Sequence, residues 1–228
     1  MAKAVQNLFD EIAPRYDFLN HFLSLNIDAK WRDQALLHLQ DRACQHILDL
    51  CAGTLDLTQR LLEIFPKVRM TALDFSQAML EAGRKKISDP SRCQLLCADG
   101  HLLPFAEGSY DAVVCAFGIR NLEHREQAAK EIFRVLKPGG SLVVLEFFKP
   151  EKLFPKLFYQ TYGKYVIPKV GGLISKNRKA YQYLQDSIQN FLSIVEYEKL
   201  LSSIGFVGVQ SKALSGGIAH EVYAEKKV

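Results

Sequence analysis

A chain of 228 residues, 48% hydrophobic and 24% charged, has the composition of an ordinary globular domain with the length for a substantial core. Its formal net charge of +4 is too weak to single out a nucleic-acid partner. No run of about 18 apolar residues occurs, which argues against a membrane-spanning helix.

The five cysteines (Cys44, Cys51, Cys93, Cys97 and Cys115) include no CxxC pair. Three of them lie in or beside expected strands, where a small buried thiol is the plain reading; a reducing cytoplasm fits, and no metal site is expected. Asp10, Glu11 and Asp17 fall where a signal core would be apolar, so no export is expected.

Residues 4–40 are expected to be mostly helical. Phe9, Ile12, Ala13 and Tyr16 form one apolar stripe, continued by Leu19 and Phe22, and Pro14 breaks the helix near Ala13. Trp31-Arg32 opens a further helix towards Leu39. A helical segment ahead of the first strand covers a cofactor, shapes a substrate mouth, or simply packs on the sheet.

Ile47, Leu48 and Leu50 then form a short apolar run ending at Cys51-Ala-Gly-Thr54, and Leu57, Leu61, Leu62 and Phe65 follow at helical spacing. Strand, tight turn and helix in this order open a doubly wound sheet, and the turn offers backbone N–H groups to a ligand. A dinucleotide would need G-x-G-x-x-G, but only Gly53 is present, with Leu55 and Leu57 where further glycines would stand. A pyrophosphate cradle is disfavoured; S-adenosylmethionine, which brings no phosphate here, is compatible. Gly53 equally suits a plain strand-to-helix turn.

Val68 to Leu73 reads as the second strand, with Asp74 at its carboxyl end, about 20 residues beyond the first turn, where an acid can hold both ribose hydroxyls. Asp74 is equally a helix cap ahead of Phe75-Ser76. Met79 to Lys86 follows as a helix, then Gln94 to Cys97 as the third strand before Ala98-Asp99-Gly100. Tyr110 to Cys115 is the fourth strand, Glu126 to Leu136 a helix stopped by Lys137-Pro-Gly-Gly140, and Ser141 to Glu146 the fifth strand. A helix over 194–204 precedes two strands, Phe206 to Lys212 and Ile218 to Glu225, which Ser215-Gly-Gly217 makes antiparallel.

Five strand–helix alternations predict an α/β fold: a seven-stranded, mostly parallel sheet with helices on both faces and a C-terminal antiparallel hairpin. One domain is expected, with a helical cap over 1–40, a core over 41–147, an insertion over 148–190, and the last helix and hairpin over 191–228. The insertion mixes Phe154, Phe158, Tyr159, Tyr162 and Tyr165 with Lys152, Lys156, Lys164 and Lys169, broken by Pro155, Pro168 and Gly171-Gly172. It suits a substrate pocket at the strands' carboxyl edge, contact with a membrane surface, or ordinary subdomain packing.

Several stretches together resemble the class I, Rossmann-like S-adenosylmethionine-dependent methyltransferases of quinone biosynthesis, the group that methylates demethylmenaquinone and polyprenyl-benzoquinol rings. They are Phe9-Asp-Glu-Ile-Ala-Pro-Arg-Tyr-Asp17, Leu48-Asp-Leu-Cys-Ala-Gly-Thr54, Met79-Leu-Glu-Ala-Gly-Arg84, Leu103-Pro-Phe105, Phe117-Gly-Ile-Arg-Asn121, Arg134-Val-Leu-Lys-Pro-Gly-Gly140, Leu145-Glu-Phe-Phe-Lys-Pro150, Tyr181-Gln-Tyr-Leu-Gln-Asp-Ser-Ile188 and Gly216-Gly217. Lys137-Pro-Gly-Gly140 is common to many methyltransferases, whereas Phe117-Gly-Ile-Arg-Asn121 and Tyr-x-Tyr-Leu are narrower. The resemblance implies that Thr58, Asp74, Asp99 and Gly100 line the cofactor, with Asp74 on the ribose and Asp99 and Gly100 at the adenine. Gly53, Asp49, Phe75 and Ala116 complete the candidate cofactor set. Leu55 departs from the family, which usually has a second glycine there.

The implied reaction is methylation of a ring carbon beside a hydroxyl of a lipid quinol, demethylmenaquinol or its polyprenyl-benzoquinol equivalent. Phenols titrate near 10, so the site must favour the anion. Arg120 stays protonated and would stabilise the phenolate or order a water, in a network the resemblance shares with Tyr16. The structural alternatives are an ion pair of Arg120 with Glu123 or Asp17 and core packing of Tyr16; His101, His124 and His220 are alternative bases. A transient membrane-surface contact at the inner face of the membrane and a homodimer are allowed for. A nucleic-acid methyltransferase is disfavoured, since Ala-Phe-Gly-Ile-Arg-Asn121 lacks a Pro-Pro-aromatic signature. A non-catalytic scaffold, motivated by Leu55, and a methyltransferase for another small molecule stay open.

Overall fold

The computed structural model describes residues 3–13, 16–17, 24, 26–159, 161 and 178–228. In chain order the helices are α1 (Lys3–Ile12), α2 (Ile27–Leu36), α3 (Asp56–Ile64), α4 (Gln77–Arg84), α5 (Arg125–Val135), α6 (Leu153–Phe158), α7 (Arg178–Gln189) and α8 (Ile194–Ile204). The strands are β1 (His46–Leu50), β2 (Arg69–Asp74), β3 (Cys93–Cys97), β4 (Tyr110–Ala116), β5 (Leu136–Glu146), β6 (Phe206–Leu214) and β7 (Ala219–Lys226).

The strands form one sheet in the order β3-β2-β1-β4-β5-β7-β6. The first five are parallel, and β7 lies antiparallel between β5 and β6. Period-two alternation divides each central strand between two cores. Leu48, Leu50, Val113, Cys115, Leu142 and Val144 face α5 and α8. Ile47, Met70, Ala112, Val114, Val143 and Leu145 face the opposite layer, with Leu36, Leu61 and Leu80 of α2, α3 and α4. Strands buried on both faces read as continuous apolar runs, which is why the sequence marks them so clearly.

Three local expectations shift. The helix expected to open at Trp31 begins at Ile27, and Leu37–Leu39 is a 3-10 turn. The helix expected from Met79 begins at Gln77, because the Ser76 hydroxyl caps it by accepting from the Met79 N–H at 3.1 Å. Lys137-Pro-Gly-Gly140, expected only as a stop, belongs to the first half of β5. Pro14, Leu19 and Phe22, together with Tyr162, Lys164, Tyr165, Pro168, Lys169 and Gly171-Gly172 of the insertion, lie outside the described residues.

Candidate active site

The crevice lies where β1, β2 and β4 end side by side. Phe9, Tyr16, Cys51, Gly53, Asp74, Phe75, Met79, Ala116, Phe117, Gly118 and Asn121 border it, around about 30 Å³ of free space. That is room for water. Parallel strands ending at one edge, with loops diverging from it, open a crevice of this kind.

Two loops come together through a glycine. A Cβ on Gly118 would stand 2.3 Å from Cys51 Cβ and 3.2 Å from both the Cys51 and Cys115 sulfurs, so only glycine lets the turn after β4 close on the end of β1. The β1 turn is itself tightly wound, with Cys51, Gly53 and Leu55 all at positive φ (58°, 53° and 68°). Leu55 is fully buried in the core that holds Leu61 and Leu80, turned away from the crevice.

Asp74 closes the floor. Its carboxylate accepts from Gly53 N–H (2.8 Å) and Ser76 N–H (2.9 Å), joining the ends of β1 and β2. Burial pushes its carboxyl up to about 6 against the pull of those N–H groups, and Asp10 adds to the rise. Asp49 is buried with the Thr58 hydroxyl donating to it at 2.6 Å, and burial raises its carboxyl to about 7. Thr58 is fully buried, so it braces Asp49 from beneath the turn and is not among the residues bordering the crevice.

Asp99 and Gly100 stand one strand away, after β3. Ala98 N–H donates to the Asp74 carbonyl at 3.0 Å, which ties their loop to the site. Asp99 is held by His101, which gives its backbone N–H (2.9 Å) and Nδ1 (2.6 Å) to one carboxylate oxygen. Gly100 packs under Leu122 and Leu50, which a Cβ would meet at 3.0 and 3.3 Å. Gly53, Asp74, Phe75, Ala116 and Tyr16 thus meet at one crevice, while Asp49 and Thr58 lie below it and Asp99 and Gly100 beside it. Among the described residues no histidine borders it. His101 Nε2 accepts from His124 N–H at 3.2 Å, and burial lowers the His220 imidazole, which packs edge-on against Phe148.

α1 covers the crevice. Phe9 meets Phe75 and Tyr183 edge-on (5.8 and 6.0 Å between centroids) and packs against Tyr16. Gln6 donates to the Phe75 carbonyl at 2.9 Å, and Asp10 accepts from the Ser76 hydroxyl. Asp17 accepts from Thr54 and pairs with Lys86, which also reaches Asp56 at 2.6 Å.

Arg120 sits behind the Phe117 wall in the 3-10 turn Ile119–Asn121. Its partner is neither Glu123 nor Asp17 but Glu146, at 2.8 Å, in a pair with side chains only 5% and 0% exposed. Asp17 is engaged with Lys86 and Thr54 instead, and the parallel sheet brings Glu146 at the end of β5 beside the end of β4. Nη1 also donates to the Phe117 carbonyl and Nε to Ser187 Oγ (3.2 Å). Burial opposes the Arg120 charge, yet Glu146, Tyr16 and Tyr183 hold its pKa above the usual value.

Sequence reasoning did not nominate Phe9, Cys51, Met79, Phe117, Gly118, Asn121, Tyr183 or Glu146 individually. One signal was available: Glu146 interrupts the run Leu142-Val-Val-Leu-Glu-Phe-Phe148, and an acid inside an apolar strand calls for a buried partner.

The family model described as the ubiE/COQ5 methyltransferase family matches residues 1–226. The chain is 40% identical over 226 residues to the ubiquinone/menaquinone biosynthesis C-methyltransferase UbiE of Geotalea uraniireducens, covering 97% of this chain and 96% of that one. It is 42% identical over 213 residues to the demethylmenaquinone methyltransferase of Thermus thermophilus, covering 93% and 96%. Among solved structures, a SAM-dependent methyltransferase of Thermotoga maritima superposes with a TM-score of 0.70 at 18% identity, over 97% of this chain and 99% of that one.

Proposed function

This chain belongs to the ubiE/COQ5 methyltransferase family, and on that premise we propose that it methylates a ring carbon of a reduced, isoprenoid-tailed quinone, with S-adenosylmethionine as donor. The substrate is demethylmenaquinol, giving menaquinol, or the equivalent polyprenyl-benzoquinol. The family match along nearly the whole chain carries this reading.

The residues present fit that donor. The buried carboxylate of Asp74, which borders the crevice, suits a ligand bearing ribose hydroxyls. Small Gly53 and Ala116 leave backbone open to close approach. Asp74 would hold the ribose, the Cys51–Leu55 turn the methionine end, and Asp99 and Gly100 the adenine, with Phe75 as a wall. Thr58 and Asp49 would support the turn from below. When bound, the donor supplies an electrophilic methyl group, so the protein's work is alignment and activation of the ring carbon.

Arg120 favours the ring oxygen's anion and thereby pushes electron density onto the neighbouring carbon. Among the described residues its bonds use Nε and Nη1 and leave Nη2 for that oxygen or for a water that takes the proton. Tyr16 lies close enough to raise the Arg120 pKa and borders the crevice from the other side. No helix among the described residues is long and apolar enough to cross a membrane, so a lipid-tailed substrate would be met at the membrane surface. α6 is the element suited to that contact, with Leu153, Phe154 and Leu157 exposed.

The test is incubation of the purified protein with S-adenosylmethionine and short-tailed demethylmenaquinol or demethylated benzoquinol, kept reduced. Mass spectrometry should find one of the two rings heavier by one methyl group. A ring left unmodified in both reactions would overturn the reading.

A further inference from the structure

We propose that Glu146 is a positioning residue of this reaction: its buried carboxylate fixes the Arg120 cation behind the Phe117 wall of the crevice where the quinol ring is methylated. The inference rests on the reading of Arg120 given above.

One carboxylate takes three donors. Oε1 accepts from Arg120 Nη1 at 2.8 Å and from Phe147 N–H at 2.6 Å, and Oε2 accepts from Arg120 N–H at 3.2 Å. Glu146 therefore holds Arg120 by both backbone and guanidinium, and locks its own chain end in the same grip. The Arg120 guanidinium also holds the carbonyl of Phe117, a crevice residue in the left-handed region (φ 57°), and lies 5.8 Å over the Phe147 ring. Phe147 in turn stacks on Phe117 with centroids 4.6 Å apart. Moving Glu146 would loosen the cation and the aromatic wall together.

Stability alone does not call for such a pair. Exchanging a buried ion pair for apolar side chains is often neutral or stabilising, and the flanking Val144, Leu145 and Phe148 are already core residues. What an apolar replacement would lose is an oriented charge. The pair is a dipole whose cationic end carries the unspent Nη2, and the anionic end both aims and moderates it. Removing the anion while keeping its shape therefore has two separable effects. The guanidinium loses its orientation, which slows the reaction. Its charge also goes uncompensated, which favours the ionised quinol. The other titratable groups facing Arg120 are Tyr16 from the N-terminal segment, Tyr183 of α7 and Tyr159 after α6. Burial raises the last two phenols above their usual value.

The experiment measures kcat against pH with a short-tailed demethylated quinol at saturating S-adenosylmethionine, for wild type, Glu146→Gln, Glu146→Asp and Arg120→Ala. Glu146→Gln should lower kcat on the order of 10²-fold with the quinol KM unchanged. The midpoint of its acid limb should move about one pH unit lower. Glu146→Asp, which keeps the charge, should recover part of the rate at the wild-type midpoint. Wild-type kcat in Glu146→Gln, or a lower kcat with an unmoved midpoint, overturns the proposal. Should Glu146→Gln not fold, Glu146→Asp decides: reduced kcat at the wild-type midpoint supports the proposal and wild-type kcat overturns it. Arg120→Ala separates the two readings, since full turnover there would sink the role of Arg120 itself. Lost turnover there beside normal Glu146→Gln would sink only Glu146.

Discussion

Asp74 shows what one side chain does at two levels. Its carboxylate joins the ends of β1 and β2 through the Gly53 and Ser76 N–H groups. Because burial raises its carboxyl to about 6, ionising it works against the fold: its contribution is greatest at low pH and is lost as pH rises from about 4 through 6. For the proposed ribose contact, binding has the opposite sign, since a hydroxyl donates more strongly to the ionised carboxylate. S-adenosylmethionine should therefore bind about tenfold more weakly at pH 5 than at pH 7, and Asp74→Asn should flatten the profile. Titration calorimetry across that range checks this; a flat wild-type profile would refute it. The placement of Asp74 was legible because a strand's end is marked by its apolar run. The depth of Thr58 was not, because the same sequence suits a hydroxyl facing the ligand or facing Asp49, and only the wound turn at Leu55 directs it to Asp49.

At the scale of elements, the strand–helix order was readable because the central strands β1, β2, β4 and β5 are buried on both faces and read as apolar runs, while the edge strands β3 and β6 are bounded by turn residues. α8 begins at Ile194 as expected, since Ser193 and Glu196 form a reciprocal cap with bonds of 2.8 and 3.4 Å. The strand order was not readable, because β4 pairs with β1 across two intervening strands. That pairing brings the Gly118 turn onto Cys51, and it yields a test. Gly118→Ala should destabilise the protein by about 1–3 kcal/mol by overpacking, seen as a lower Tm, and should reduce turnover by displacing the Arg120 turn. Cys51→Gly in that background removes the clashing Cβ from a residue already at φ 58° and should restore most of both losses. A double variant no better than Gly118→Ala would show that the close approach is not what sets the turn.

Across the whole molecule the crevice and α6 share the carboxyl edge of the sheet, joined by the short run from Phe147 to Leu153. α6 is pinned on its inner side, where Pro155 is buried beside Gly217 and the Tyr159 hydroxyl donates to the Ile218 carbonyl at 2.7 Å. Its outer side leaves Leu153, Phe154 and Leu157 at 80%, 60% and 55% exposure, amid exposed Lys149, Lys152 and Lys156. Apolar side chains flanked by Lys149, Lys152 and Lys156, with Glu151 the one acid among them, suit an anionic bilayer in both respects, since each lysine near such a surface adds about 1 kcal/mol and each buried leucine about 1.5–3 kcal/mol. The protein should therefore sediment with vesicles containing anionic phospholipid, less with neutral ones, and less as salt rises. Replacing Leu153 and Leu157 with Glu should weaken sedimentation about tenfold or more while turnover of a short-tailed, water-soluble quinol stays at the wild-type rate. Turnover of a long-tailed quinol presented in vesicles should fall with the binding. If the double variant sediments like wild type, α6 is not the contact; if both quinols are turned over equally well by it, tail delivery does not pass through the membrane surface at all.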